Sequence, residues 1–139
     1  VSNFCLPEHS AQHNEAIWMG KHYAGLGPSA HGFLPDGTRT TYPSDWHKWL
    51  ENPAPILEKS TNEQLVIDLL LTKIRHYNGF SHQEIKKRGF ELDANTIEYL
   101  ARTNAIHHEN GMIRINSKSW SVVDYITNRL IQALQNTNQ

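Results

Sequence analysis

The sequence predicts an α+β chain with an irregular first part and a mainly helical second part. All six prolines and three of the four tryptophans lie in residues 1–55, which show almost no helical periodicity. Residues 60–139 instead carry regularly spaced apolar residues and repeated helix-start signals. We therefore expect two regions, residues 1–55 and residues 60–139.

The first part is expected to consist of short extended pieces joined by turns. Residues 23–33 are compatible with one strand that ends at a glycine-rich turn. A short helix is predicted over residues 45–51, with Ser44 as its N-cap and Asn52-Pro53 as its stop. Little of this part would bury itself without a partner surface.

Two capping boxes predict the starts of the first two helices of the second part. In a capping box, a serine at the N-cap and a glutamate three residues later satisfy two backbone donors reciprocally. The two pairs are Ser60 with Glu63 and Ser81 with Glu84. A glycine follows the basic end of each helix, at Gly79 and Gly89.

A third helix, a hairpin and a closing helix complete the second part. The third helix begins at Asp93, and residues 106–116 predict a hairpin that turns at Asn110-Gly111. The closing helix is predicted over residues 119–135. Its buried face would carry Val123, Ile126, Leu130 and Leu134. This order of elements predicts a winged-helix-like domain.

Charge and composition argue against several partners. The net charge is −1, and the third helix has Arg102 as its one cation, so nucleic acid is not expected as a partner. No apolar run approaches the roughly 20 residues that cross a bilayer. The single cysteine, Cys5, and the absence of a signal-peptide pattern favour a cytoplasmic location.

Three short stretches of the first part carry a family resemblance. They are V-S-N-F at residues 1–4, H-N-E-A-I-W at residues 13–18 and K-H-Y-A-G-L-G-P-S-A-H at residues 21–31. They are similar to E-I/V-S-N-F-A, R-H-N-x-x-Y-W and D-Y-L-G-L-G-P-G-A-H-S of the radical-SAM oxygen-independent coproporphyrinogen III oxidase-like family (HemN/HemW-type). The order and the spacing of the three stretches agree as well.

The resemblance implies that the chain is the C-terminal part of such a protein. Residues 1–55 would be the end of the radical-SAM barrel, and residues 60–139 the winged-helix-like C-terminal domain. Family members hold a [4Fe–4S] cluster on a C-x-x-x-C-x-x-C motif, with S-adenosylmethionine on the cluster. Since Cys5 is alone, both cofactors would belong to a missing N-terminal barrel, and this fragment would not be an enzyme by itself.

Within the family, the H-N-x-x-Y-W stretch is tied to the heme-chaperone branch, which binds heme and passes it to an acceptor protein. By that resemblance His13 is a candidate axial ligand to heme iron, Asn14 would orient the ring or a propionate, and Trp18 would pack on the porphyrin. Ile17 departs from the family's tyrosine. The alternative is that His13 and Asn14 form local hydrogen bonds. A true coproporphyrinogen III dehydrogenase also remains possible, as does a winged-helix adaptor.

The resemblance also places the glycine-rich stretch beside S-adenosylmethionine. Gly25 and Gly27 would let the backbone approach the cofactor, and Ala30 or His31 would contact it. The alternative is a purely structural strand end, since a lone G-x-G is weak evidence for a ligand.

Other residues are assigned structural roles. His107 and His108 are predicted at a solvated hairpin tip, where neighbouring strand residues point to opposite faces and cannot easily hold one ion. Trp46 and Trp49 are three residues apart on the short helix and are expected to be packing residues that dock this segment. Exposed tryptophans in residues 1–55 would favour a homodimer if the barrel is missing.

Overall fold

The computed structural model describes residue 6 and residues 9–137. Within this part of the chain the backbone divides into two compact units. The first is residues 11–61, and the second is residues 62–137 together with residues 6, 9 and 10. The V-S-N-F stretch and Cys5 lie outside the described residues. The assignment of residues 1–55 and 60–139 to a barrel end and a C-terminal domain stays a prediction.

The first unit is a small antiparallel sheet with two short helices. Its strand order is β1-β2-β3, and Tyr23 forms an additional antiparallel bridge with Phe33. The elements are α1 (Gln12–Trp18), β1 (His31–Phe33), β2 (Thr38–Thr41), α2 (Trp46–Glu51) and β3 (Ile56–Lys59).

Three sequence predictions for this unit need correction. The strand β1 begins at His31, after the glycine-rich turn, whereas the sequence predicted a strand ending there. The helix α1 was not predicted, because Ala11 at its N-cap position makes no side-chain capping bond. The N-cap of α2 is Asp45, whose carboxylate accepts from Lys48 N at 2.8 Å, and not Ser44.

The first unit buries few side chains of its own. Among residues 11–61, which are described throughout, Gly32, Thr40 and Ser60 are the buried residues. Large apolar side chains of α2 and β3 are instead more than half exposed: Trp46, Leu50, Ile56 and Leu57.

The second unit contains helices and two small sheets. Its elements are α3 (Asn62–Lys73), β4 (Phe80–Ser81), α4 (His82–Lys86), β5 (Phe90–Leu92), α5 (Ala94–Arg102), β6 (Ile106–Glu109), β7 (Met112–Ile115), a 3-10 helix (Ser117–Val122), α6 (Val123–Gln132) and β8 (Leu134–Asn136). One sheet has the order β4-β7-β6, and the other pairs β5 with β8. Asn110 and Gly111 have positive φ angles of 51° and 75°, which confirms the predicted hairpin turn.

A single apolar core holds the second unit together. Its largest fully buried side chains come from both helices and strands and include Phe80, Leu70, Ile74, Ile85, Leu100, Ile113, Ile126 and Leu130. Burial of one such side chain contributes roughly 1.5–3 kcal/mol. This unit therefore has the apolar interior that the first unit lacks.

The helix starts agree with the sequence at two places and differ at a third. Asp93 caps α5 through Thr96 N at 2.8 Å, and Glu84 accepts from Ser81 N at 2.8 Å at the start of α4. The helix α3 begins at Asn62, so Ser60 is not next to its first residue. The Ser60 hydroxyl instead accepts from Arg39 Nε at 3.2 Å.

The C-terminal prediction was also wrong in part. The helix α6 ends at Gln132, and residues 134–136 form β8, which pairs antiparallel with β5. Leu134 lies opposite Leu92 in this sheet and does not continue the apolar face of the helix. Apolar spacing cannot distinguish one further helical turn from a short strand whose partner lies about 40 residues earlier. No helix among the described residues is long and apolar enough to cross a membrane.

Candidate functional site

The H-N-E-A-I-W stretch lies in α1, and the helical geometry determines which of its side chains share a face. Asn14 and Trp18 are four residues apart, so they lie on one face, and both are half-buried. His13 is exposed and lies about 140° around the helix from Trp18 at 3.6 residues per turn. The neighbour of His13 on its own face is Ile17, so His13 and Trp18 do not share a face.

The end of α1 is fixed by backbone hydrogen bonds. Gly20 N donates to Ile17 O and Lys21 N donates to Ala16 O, both at 2.9 Å. Gly20 has a φ of 75°, and this pattern is a Schellman motif, which closes a helix with a left-handed residue. The orientation of α1 relative to the chain that leads into Tyr23 is therefore set by the backbone.

The glycine-rich stretch forms a tight loop before β1. A Cβ atom at Gly25 would lie 2.2 Å from the carbonyl oxygen of His31, so this glycine is required by the loop's own packing. Ser29, with a φ of 60°, donates from its backbone N to Pro43 O at 3.0 Å. Ala30 N donates to Gly27 O at 3.1 Å, which closes the turn.

The open side of this loop lies at Gly27. Gly27 has a φ of 101°, and a Cβ built there would meet no atom within 4 Å. The preceding Leu26 is 86% exposed. Of the two glycines that the resemblance placed beside S-adenosylmethionine, Gly27 therefore leaves its backbone open to a ligand, whereas Gly25 faces its own chain.

His31 begins β1 and is held by its cross-strand neighbour. Its Nδ1 lies 3.2 Å from the Thr41 hydroxyl, and the two residues are paired in the sheet. This hydrogen bond orients an exposed imidazole. The loop thus brings Gly25, Gly27, Ala30 and His31 together, while the residues predicted to bind heme lie on α1.

The turn between β1 and β2 is stabilised by a carboxylate that the sequence analysis did not single out. Asp36 accepts from Thr38 N at 3.0 Å and from the Thr38 hydroxyl at 2.9 Å, and it forms an ion pair with Lys59 at 3.1 Å. These hydrogen bonds, above all the one from Thr38 N, lower the pKa of Asp36 to about 2. Its role is structural, since it connects β3 to this turn.

Two of the ring pairs in the structure involve residues that the sequence analysis discussed. Trp46 and Trp49 stack with centroids 5.7 Å apart, and Trp46 is 56% exposed, so their docking role stays a prediction. His108 is exposed, as the sequence predicted, and its ring also lies beside that of His82, with centroids 5.0 Å apart. No group of three or more His, Cys, Asp or Glu suited to a metal ion occurs among the described residues.

Comparison of the sequence and of the fold with known proteins found one similarity of each kind that bears on function. No protein-family model matches the chain. It is 28% identical over 124 residues to the radical S-adenosyl methionine domain-containing protein 1, mitochondrial, of Danio rerio, which covers 80% of this chain and 28% of that protein. The chain is thus a weak homologue of a radical-SAM domain protein.

The fold is similar to part of a solved enzyme structure. Coproporphyrinogen III oxidase (HemN) from Escherichia coli, described as a radical SAM enzyme, matches with a TM-score of 0.52 and 14% identity. The match covers 79% of this chain and 28% of that chain. The mixed α/β fold is consistent with the C-terminal part of the HemN fold, and the chain spans less than a third of either protein's length.

Proposed function

We propose that this chain is the C-terminal part of a radical-SAM coproporphyrinogen III oxidase-like protein that acts in heme or porphyrin metabolism. The similarity to a radical-SAM domain protein over 124 residues carries the proposal, and the HemN-like fold supports it. The [4Fe–4S] cluster and its S-adenosylmethionine would be held by an N-terminal barrel, since the chain itself has one cysteine.

In this proposal the first unit packs against that barrel. Leu50 on α2 and Ile56 and Leu57 on β3 are more than half exposed, and the unit has few buried side chains of its own. Burying such side chains against a partner is favourable at about 25 cal/mol per Å² of apolar surface. The loop around Gly27 and His31 would then border the S-adenosylmethionine site.

We further propose that the protein belongs to the heme-chaperone branch and binds heme through His13. The exposed position of His13 leaves its imidazole accessible to an iron ion, for which neutral imidazole is a common ligand. On α1 the apolar neighbour of His13 is Ile17, so Ile17, and not Trp18, would contact the porphyrin beside this ligand. Asn14 and Trp18 would stabilise the helix from its other face. A heme-acceptor protein would be the partner.

The second unit would serve for docking and not for DNA binding. Its order of three helices and a hairpin, with β4 paired to β7, supports the winged-helix-like interpretation. The helix α5 is capped by Asp93, includes Glu98 and has Arg102 as its one cation, so phosphate contacts would be few.

A true coproporphyrinogen III dehydrogenase is the second candidate, and the structural similarity to HemN favours it. The two functions differ in their product. A dehydrogenase converts propionate groups to vinyl groups and releases CO₂, whereas a chaperone binds heme and leaves it unchanged. Assaying the longer protein for CO₂ release from coproporphyrinogen III distinguishes them.

The heme proposal is tested on the chain itself by absorbance titration with heme. We expect a saturable, red-shifted Soret band that His13→Ala abolishes. His47→Ala is the matched control, because His47 is also exposed on a short helix of the same unit and should leave the band unchanged. A band that survives His13→Ala, or the lack of any saturable band, would contradict heme ligation by His13.

A further inference from the structure

His82 and His108 come from distant parts of the sequence and meet in the second unit. His82 is the first residue of α4, and its backbone N donates to Gly111 O at 2.9 Å, which attaches the start of α4 to the hairpin turn. His108 lies on β6 of that hairpin. The two rings are tilted by 49°, with centroids 5.0 Å apart.

The ring of His108 lies beside that of His82 while remaining exposed to solvent. Ile106 is buried, and side chains two residues apart on a strand point to the same face, so His108 lies on the same face of β6 as Ile106, with its own side chain exposed. His108 is also paired with Ile113, which is paired with buried Phe80. His107 points to the opposite face, away from His82.

The His82 ring has an unused polar atom. Its Nε2 is buried and has no hydrogen-bond partner among the described residues. Leaving a buried polar atom without a partner costs about 1–3 kcal/mol. A metal ion that accepts the lone pair of His82 Nε2 would remove this cost.

We propose that His82 and His108 together bind a divalent transition-metal ion of the kind that prefers imidazole nitrogen, such as Zn²⁺, Ni²⁺ or Cu²⁺. With metal–nitrogen bonds of about 2.0–2.1 Å, two imidazole centroids lie roughly 4.5 Å apart at the angle of about 90° that Ni²⁺ and Cu²⁺ prefer. At the tetrahedral angle of about 109° that Zn²⁺ prefers, they lie roughly 5 Å apart. The observed separation of 5.0 Å matches this value. Water would fill the remaining positions, and Mg²⁺, which prefers oxygen ligands, would not bind.

The ion would link two elements of the second unit. His82 begins α4 and His108 belongs to the hairpin of β6 and β7, so one ion would hold the helix on the sheet. An ion that binds the folded state and not the unfolded state raises stability with its concentration. This site is independent of the proposed heme ligand, because His13 lies in the first unit.

Calorimetric titration of the 139-residue chain with NiCl₂ and ZnCl₂ tests the proposal. We expect saturable binding with a rise in melting temperature, and no effect of MgCl₂. Because the second ligand acts at high effective concentration, His82→Gln and His108→Ala should each weaken binding by about 10²-fold. The control His107→Ala removes a neighbouring exposed imidazole on the opposite face and should change neither quantity.

A second readout does not depend on variants. Paramagnetic Ni²⁺ should broaden the ring proton resonances of His82 and His108 before those of the other histidines. Binding that is absent from the native chain would refute the proposal. Binding that is unchanged by His82→Gln and His108→Ala, or lost equally in His107→Ala, would refute it as well.

Discussion

The Lys73–Glu84 ion pair joins α3 to the start of α4 and permits a quantitative prediction. Lys73 Nζ donates to Glu84 Oε1, and Ser81 N donates to the other carboxylate oxygen at 2.8 Å. The side chain of Lys73 is 11% exposed and that of Glu84 is 31% exposed. The pair is therefore neither fully buried nor on the open surface.

The substitution Lys73→Met keeps most of the aliphatic volume and removes the ammonium group. Removing one partner of a fully buried pair costs about 3–5 kcal/mol, whereas exposed pairs contribute about 0–1 kcal/mol. Since Glu84 is partly solvated, we expect a loss of about 2 kcal/mol. In a double-mutant cycle with Glu84→Gln, the coupling energy should be about 1–2 kcal/mol.

Acidification should weaken this coupling. Burial raises the pKa of Glu84, but hydrogen bonds from Lys73 and from Ser81 N together outweigh burial, so the pKa lies below its usual value of 4.5. A carboxyl group with a lowered folded-state pKa stabilises the protein above its unfolded pKa, and this contribution is lost as pH falls through the folded value. Lys73→Met should therefore cost less at pH 3 than at pH 7.

Urea unfolding followed by circular dichroism measures these free energies, with a second ion pair as control. Arg75 and Asp124 pair in the same unit but are 38% and 84% exposed. The cycle built from Arg75→Met and Asp124→Asn should give a coupling energy below about 0.5 kcal/mol. The reasoning is refuted if the Lys73–Glu84 coupling is no larger than this, or if it is the same at pH 3 and pH 7.

Two further predictions concern backbone packing. Truncation after Ala133 removes β8 and its pairing with β5, so the free energy of unfolding measured in urea should fall by about 2 kcal/mol. An unchanged urea midpoint would contradict the pairing. Gly25→Ala forces the loop away from the His31 carbonyl and should speed amide exchange at Phe33, which donates to Tyr23 O. Ala24→Ser, at an exposed position next to Gly25, should leave that exchange nearly unchanged, and equal effects of the two would show that the close approach is unimportant.

The sequence predicted those elements whose signals are local. The Ser81–Glu84 pair and the Asp93 cap each span three residues, and the Asn110-Gly111 turn spans two, so neighbouring residues alone define them. Such short-range hydrogen bonds join residues two or three positions apart and depend little on distant residues. This explains why the starts of α4 and α5 and the hairpin of the second unit were predicted, while the starts of α3 and α6 were not.

Features that depend on distant residues were missed. The strand β8 forms by pairing with β5, where Leu134 lies opposite Leu92. The residues 134–136 alone contain no pattern that predicts this distant partner. The meeting of His82 with His108 likewise depends on the pairing of β4 and β7. Such non-local contacts are set by the tertiary fold and not by propensity.

The sequence identified the residues of the candidate site but not how their side chains are arranged in space. The motif identified the loop from Gly25 to His31, and the structure shows that the loop's own backbone requires Gly25. The spacing of His13 and Trp18 suggested joint contact with one porphyrin face. Only the helical form of α1 separates these two side chains by about 140°.

The central claim is that this chain continues from an N-terminal radical-SAM barrel. Sequencing the transcript that encodes the chain, upstream of the codon for Val1, tests it most directly. We expect an uninterrupted reading frame that encodes a C-x-x-x-C-x-x-C motif for a [4Fe–4S] cluster. A start codon immediately upstream, preceded by an in-frame stop codon, would contradict the claim.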